Sequence, residues 1–170
     1  MTAGDKVLIH AGSGGVGTLV IQIANHVGAH VATTCSPRNA DLVRDLGADV
    51  VIDDHTQAFE EELSDYDIVF DMLGGDTLNR SFKVLKKGGT LVSIKGQDTD
   101  DLAARHGARF EWFFMEPNGA LLADLAKLME DGIVRVVIDR VSPMSETTGA
   151  YAALNDGHAV GKIAAASDPG

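Results

Sequence analysis

One cysteine, four prolines and an aromatic share of 5% are the scarcities of this 170-residue sequence. The lone Cys35 rules out an internal disulfide and any zinc site built on clustered cysteines, and it fits a reducing compartment such as the cytoplasm. Basic residues are few as well, with 14 Lys and Arg against 25 Asp and Glu and a formal charge of −11. That balance speaks against nucleic acid or an anionic membrane as partner, and reads as a solvated surface. No apolar run approaches the length of a membrane span. The opening Met1-Thr2-Ala3-Gly4-Asp5 has neither the basic nor the apolar region of a secretory signal.

Other absences narrow the chemistry. The six histidines show no H-x-x-H or carboxylate-paired spacing, so no metal site is expected. Ala11 stands where a hydrolase elbow around Ser13 would need glycine. No pair of residues reads as a general acid and base. Repeats, low-complexity tracts and linkers are missing too, which leaves one compact domain over residues 1–170.

What is present is glycine, 19 residues of it, and its most telling use lies in Lys6–Val27. Val7-Leu8-Ile9 has the length of a buried strand. Gly12-Ser13-Gly14-Gly15-Val16-Gly17 then fits G-x-G-x-x-G, and Val16, Leu19, Val20, Ile23, Ala24 and Val27 follow at helical spacing. Strand, glycine turn and helix together form the context of a dinucleotide site. Gly12 permits the turn, Gly14 lets a pyrophosphate approach the backbone, and Gly17 brings helix and strand together. The helix N-terminus then faces the phosphates.

Further along, His30–Thr34, Val50–Ile52, Asp67–Asp71 and Thr90–Ile94 read as strands. Helices are expected at Asn39–Leu46, at Phe59–Leu63, and after Gly75 through Leu78, Phe82 and Leu85. Lys86-Lys87 would close the last of these, with Gly88-Gly89 stopping it. The alternation predicts an α/β fold, a Rossmann-type doubly wound parallel sheet with helices on both faces. Beyond it a polar stretch from Lys95 to Gly107 carries a short helix at Asp100–His106. An aromatic-rich strand Arg109–Met115 precedes a helix begun by Pro117, running through Leu128. Ile133–Ile138 reads as extended, Ser145–Leu154 as a helix and Gly161–Ala164 as a last strand. The β-branched Val134–Ile138 has no evident neighbour in the sheet order, so pairing with its twin in a homodimer is expected. Trp112, Phe113 and Phe114 are expected in a core or a subunit contact, and His10 as a partly buried residue satisfied by backbone.

The end of the second strand bears on cofactor choice. NAD-preferring folds place an acid there for the ribose 2′-OH. This chain has Thr33-Thr34-Cys35-Ser36-Pro37-Arg38-Asn39, with no carboxylate. Ser36 offers a hydrogen bond and Arg38 a planar fork matched to a phosphate, which favours NADPH. A surface charge at a helix N-terminus would be a poor alternative use of an arginine.

Three segments now carry a family resemblance: His10–Gly17, Leu46-Gly47-Ala48-Asp49-Val50-Val51-Ile52-Asp53, and Asp71-Met72-Leu73-Gly74-Gly75. Together they resemble the nucleotide-binding domain of medium-chain dehydrogenases/reductases, nearest the zinc-independent quinone oxidoreductases of the ζ-crystallin-like group. Arg109-Phe110-Glu111, Met115–Gly119 and Gly157–Ile163 extend the likeness almost to the C-terminus. The resemblance implies hydride transfer from NADPH to a quinone or an α,β-unsaturated carbonyl, and a homodimer. It places Ser13, Gly15 and Val16 at the pyrophosphate, Ser36 and Arg38 at the 2′-phosphate, and Leu73 and Gly74 along the adenosine–ribose path. Ser93–Gly96, with Lys95, and Phe113–Met115, with Phe114, would approach the nicotinamide. The family often has a tyrosine near the adenine where this chain has Asp54; an acid there would weaken binding, so either its side chain points away or cofactor affinity is modest.

Members of the family also carry an N-terminal catalytic domain. Met1–Lys6 falls close to where the cofactor domain begins, so the expectation is an excised or truncated half that binds cofactor and turns over little. A free-standing NADPH-binding or sensing module shares every one of these motifs. A methyltransferase using S-adenosylmethionine would want an acid where Ser36-Pro37-Arg38 stands.

Overall fold

A computed structural model describes residues 1–96 and 100–167. Six strands, β1 (Lys6–Ile9), β2 (His30–Cys35), β3 (Val50–Asp53), β4 (Tyr66–Asp71), β5 (Leu85–Ser93) and β6 (Arg109–Trp112), form one sheet. Their order is β3-β2-β1-β4-β5-β6, and every pair is parallel. Helices α1 (Gly17–Val27), α2 (Ala40–Asp45), α3 (Phe59–Glu62), α4 (Gly75–Ser81) and α5 (Asp100–His106) connect them.

Side-chain alternation decides which helix lies on which face. Val7 and Ile9 join Ile21, Ala24, Val31 and Val43 in one buried cluster. Leu8 points the other way, into a second cluster with Phe59, Tyr66, Val69, Leu78, Phe82 and Leu91. Each such side chain contributes about 1.5–3 kcal/mol on burial. The doubly wound sheet is thus built as its sequence pattern predicts. Helix α1 ends where Gly28 turns left-handed at φ 84° and donates to the Ala24 and Asn25 carbonyls.

Several elements depart from the sequence reading. Lys86 and Lys87 lie in β5, because α4 stops at Ser81, a 3-10 turn covers Phe82–Val84, and Leu85 already pairs with Tyr66. The strand of aromatics is short, ending at Trp112. The next helix, α6 (Gly119–Glu130), starts later than Pro117 because the Asn118 side chain accepts from the Ala120 and Leu121 N–H groups. Of the polar stretch read between Lys95 and Gly107, residues 97–99 lie outside the described residues.

The largest correction concerns the C-terminal third. Val134–Ile138 is not a strand awaiting its twin. Strand β7 begins only at Ile138, runs to Pro143, and pairs in parallel with β8 (Lys162–Ala166) across helix α7 (Thr147–Asn155). Val134 is buried, Val137 packs on the cluster beneath α1, and the Val137 carbonyl accepts from Lys162 N–H at 2.8 Å. The segment is occupied by its own chain. By contrast α6 and α7 have no buried residue.

Candidate functional site

The strand order reverses between β1 and β4, which opens a crevice at the carboxyl ends of the strands, where open α/β sheets bind ligands. The glycine loop forms one wall. It is entered through Ala11 at φ 51°, a left-handed conformation uncommon for a residue with a side chain. Thr34 clamps the turn twice, accepting from Ala11 N–H at its hydroxyl (3.1 Å) and from Gly12 N–H at its carbonyl (2.9 Å).

The glycines serve different ends. A Cβ on Gly12 would stand 2.0 Å from Thr33 Oγ1, and one on Gly17 2.4 Å from the Ala11 carbonyl. Both are therefore glycine for close packing; Gly12 does not owe its identity to a positive φ. A Cβ on Gly14 would meet only the Ala11 carbonyl, at 3.2 Å, so its outer side is open. Among the described residues the N–H groups of Gly15, Val16 and Gly17 have no backbone acceptor. Helix α1 has no acid in its first turn, which leaves a cradle suited to an anion.

The C-terminal segment completes this wall. Gly161 N–H donates to the Ser13 carbonyl at 2.8 Å. A Cβ on Gly15 would lie 3.0 Å from the Gly161 carbonyl and 3.1 Å from Lys162 Nζ. Gly15 is thus where the last strand rests on the loop, and Lys162 adds an ammonium there that could hold a phosphate. Sequence reasoning missed it. Nothing local to Gly161-Lys162 says that the chain returns to Ser13.

Beyond β2 the loop crosses back to the glycines, with Asn39 Nδ2 donating to Ser13 Oγ at 3.0 Å. Ser36, Pro37, Arg38, His55, Gly157 and His158 line a hollow of about 510 Å³. Ser36 Oγ lies 3.3 Å from His55 Nε2. Among the described residues no carboxylate lies within salt-bridge distance of Arg38 or Lys162, whereas Arg44, Arg80, Lys86, Arg135 and Arg140 are all paired. The two histidines were not expected here. Asp54 does not simply turn away, since its carboxylate pairs with His55 at 3.4 Å.

The opposite wall is organised by Asp71, wholly buried at the end of β4. Its carboxylate accepts from Leu73 N–H (3.1 Å), Gly74 N–H (3.0 Å) and the Ser93 hydroxyl (2.8 Å), and Ser93 Oγ in turn accepts from Lys95 N–H. Gly74, at φ 72°, sits against Lys95, whose Cβ is 3.0 Å from where a Gly74 Cβ would be. Leu73, Gly74 and Lys95 are therefore neighbours, with Leu73 half exposed. Phe114 lies two residues beyond β6 and is 71% exposed, its ring tilted against Trp112 at 6.0 Å. Trp112, Phe113 and Phe114 fill no core.

His10 stands behind the crevice. It is wholly buried, and two hydroxyls rather than backbone satisfy its ring. Burial pushes its pKa down to about 4, against the opposing pull of Asp71. Cys35 is buried as well, its thiol pushed up to about 11 by burial and then by Asp54, which makes it inert.

Helix α1, its glycine entry and the switch-point crevice define a Rossmann-type nucleotide-binding domain. The chain belongs to the zinc-binding dehydrogenase family of the medium-chain dehydrogenases/reductases, whose sequence profile matches residues 46–164. Over 95% of its length it is 40% identical to the chloroplastic NADPH-dependent alkenal/one oxidoreductase of Arabidopsis thaliana, of which it covers 40%. It is 34% identical to the mitochondrial NAD(P)H oxidoreductase RTN4IP1 of Danio rerio, covering 95% of this chain and 49% of that protein. The quinone oxidoreductase of Coxiella burnetii superposes with a TM-score of 0.90 at 36% identity, over 95% of this chain and 52% of the other. The chain spans about half the length, or less, of these relatives.

The family's descriptive name invites a test for zinc. Among the described residues one group of potential ligands converges, Asp53, Asp54 and His55, their ligating atoms within 4.8 Å. Two of the three are exposed, and the Asp53 carboxylate is already committed to the Thr56 hydroxyl and the His55 N–H. The one cysteine, Cys35, pairs with Asp53 across the sheet, but its thiol is buried in the core and is not among the converging ligands. This donor set does not fit a zinc centre. No helix among the described residues is long and apolar enough to cross a membrane.

Proposed function

We propose that this chain is the NADPH-binding domain of a zinc-independent quinone or enone oxidoreductase. The observation that carries the cofactor reading is the hollow lined by Ser36, Arg38, His55 and His158, where the neighbouring Asp54 carboxylate is held beside His55. It suits a phosphate on the adenosine ribose, and the NADPH dependence of the similar alkenal/one oxidoreductase points the same way. Gly12, Ser13, Gly14, Gly15, Val16 and Gly17 would hold the pyrophosphate, Leu73 and Gly74 the ribose path, and Lys95 and Phe114 the nicotinamide end. Bound there, NADPH supplies a hydride. The protein's share is to orient it and to exclude water from one side.

A substrate quinone or enone needs an opposite wall, which the remainder of a longer protein would provide. A homodimer through the sheet edge is part of the same reading. It is supported by β6 as a terminal strand with Trp112, Phe113, Phe114 and Met115 exposed beside it. A single buried cysteine supports a reducing cytoplasmic location.

Calorimetric titration of the chain with NADPH and NADH tests the cofactor reading. NADPH is expected to bind more tightly, and Arg38→Ala to remove most of the difference, about 1.5–3 kcal/mol for a charge-assisted hydrogen bond. Equal affinities in the parent chain would overturn it. Light scattering tests the dimer.

A further inference from the structure

His10 joins the two walls of the crevice through side chains whose hydrogen-bond direction can be worked out. Ser81 Oγ lies 2.7 Å from the Thr77 carbonyl, which can only accept, so the single Ser81 hydroxyl proton is committed there. His10 Nε2, 2.9 Å from the same oxygen, must therefore carry a hydrogen and donate it. A neutral imidazole has one N–H, so Nδ1 is bare and accepts. Its partner at 3.1 Å is the Thr34 hydroxyl, which spends its proton on Nδ1 and accepts from Ala11 N–H at 3.1 Å. The result is a one-way chain: Ala11 N–H to Thr34, Thr34 to His10, His10 to Ser81, Ser81 to Thr77.

Burial of His10 keeps the ring neutral. The groups that face it are Asp71 on β4 and Arg80 on α4, with Glu60 on α3 held by Arg80 at 3.0 Å. Phe59 meets the ring edge-on at 4.7 Å, and the imidazole is closed off from solvent. The chain begins at the left-handed residue that enters the glycine loop and ends on the helix that opens beyond Gly74.

We propose that His10, locked with its hydrogen on Nε2, is a positioning residue for cofactor binding that fixes the glycine loop against α4 through Thr34 and Ser81. This rests on the reading of the crevice as a dinucleotide site. His10 touches no cofactor atom in this account; it acts through Ala11. Because the glycine loop serves the pyrophosphate common to both cofactors, its loss weakens NADPH and NADH alike. That separates it from Arg38, which acts on the 2′-phosphate alone.

The test uses near-isosteric changes in the whole chain. Thr34→Val removes the hydroxyl and keeps the shape. It is expected to raise the Kd for both cofactors about tenfold, while Thr34→Ser restores binding to within about threefold of the parent. Imidazole ¹⁵N spectra of the parent at pH 7 should show His10 neutral with Nδ1 unprotonated, and its Nδ1 resonance should move when NADPH is added. This second measurement decides the matter if Thr34→Val does not fold. A parent that binds neither cofactor overturns the dinucleotide reading and this proposal with it. A parent that binds while Thr34→Val binds equally well overturns the proposal alone, as does a His10 that is protonated on Nδ1 or unmoved by NADPH.

Discussion

The N–H of Gly161 donates to the carbonyl of Ser13 at 2.8 Å, so the last strand of the chain is tied to the first loop. The bond delivers Lys162 to Gly15, and with it an ammonium beside the glycine loop of a chain that is acidic overall.

Lys162→Met should therefore weaken NADPH and NADH alike. The side chain is exposed, so solvent screening limits the loss to about 1 kcal/mol, roughly a fivefold rise in Kd. Titration at two salt concentrations checks it, since the loss should shrink at high salt. An unchanged Kd at low salt would remove Lys162 from the site.

The glycines give a paired prediction. Gly14→Val puts a branched side chain on the open side of the loop and should abolish cofactor binding with the fold intact by far-UV dichroism. Gly17→Ala drives a Cβ to 2.4 Å from the Ala11 carbonyl and should lower the melting temperature, with a cost of about 1–3 kcal/mol for overpacking. If Gly14→Val binds NADPH normally, the loop is only a turn.

Acid should destabilise the chain in a defined window. His10 has a pKa of about 4 when folded against an ordinary 6.5, so between these values the unfolded chain binds more protons. Its contribution is fully present above about pH 6.5 and is lost as pH falls toward 4, up to about 3 kcal/mol. Urea midpoints measured from pH 7.5 to 4.5 should fall, and His10→Gln should flatten that part of the slope.

Cys35 should resist modification. With the thiol near pKa 11 instead of 9.0, its thiolate at pH 8 is on the order of a hundredfold scarcer, and the side chain is buried. Ellman's reagent should react slowly with the native chain and promptly in urea. Rapid native reaction would mean that the β2 end opens.

How much of this the sequence shows depends on how local each signal is. The strand, turn and helix of Lys6–Val27 are legible because they are contiguous, and the position of Arg38 at the hollow because the second strand leads straight to it. Lys86-Lys87 before Gly88-Gly89 has the chemistry of a helix end, yet pairing of Leu85 with the distant Tyr66 outweighs it. Val134–Ile138 looked unpartnered because its partner, the segment around Lys162, lies beyond a helix. His158 and Lys162 reach the site only through that return, and no spacing rule near them encodes it. His55 was nearer to hand, just past β3, but one imidazole on an acidic stretch carries no motif.

The tie between Gly161 and Ser13 also orders the steps of folding. Strands β1 through β6 can pair and cover both faces before β8 is in place. The wall of the glycine loop must wait for β8, since Gly161 and Lys162 complete it from far along the chain. A loop closure that long is among the slowest contacts to form. Capture of a ligand on that wall thus comes to report that this most distant contact has closed.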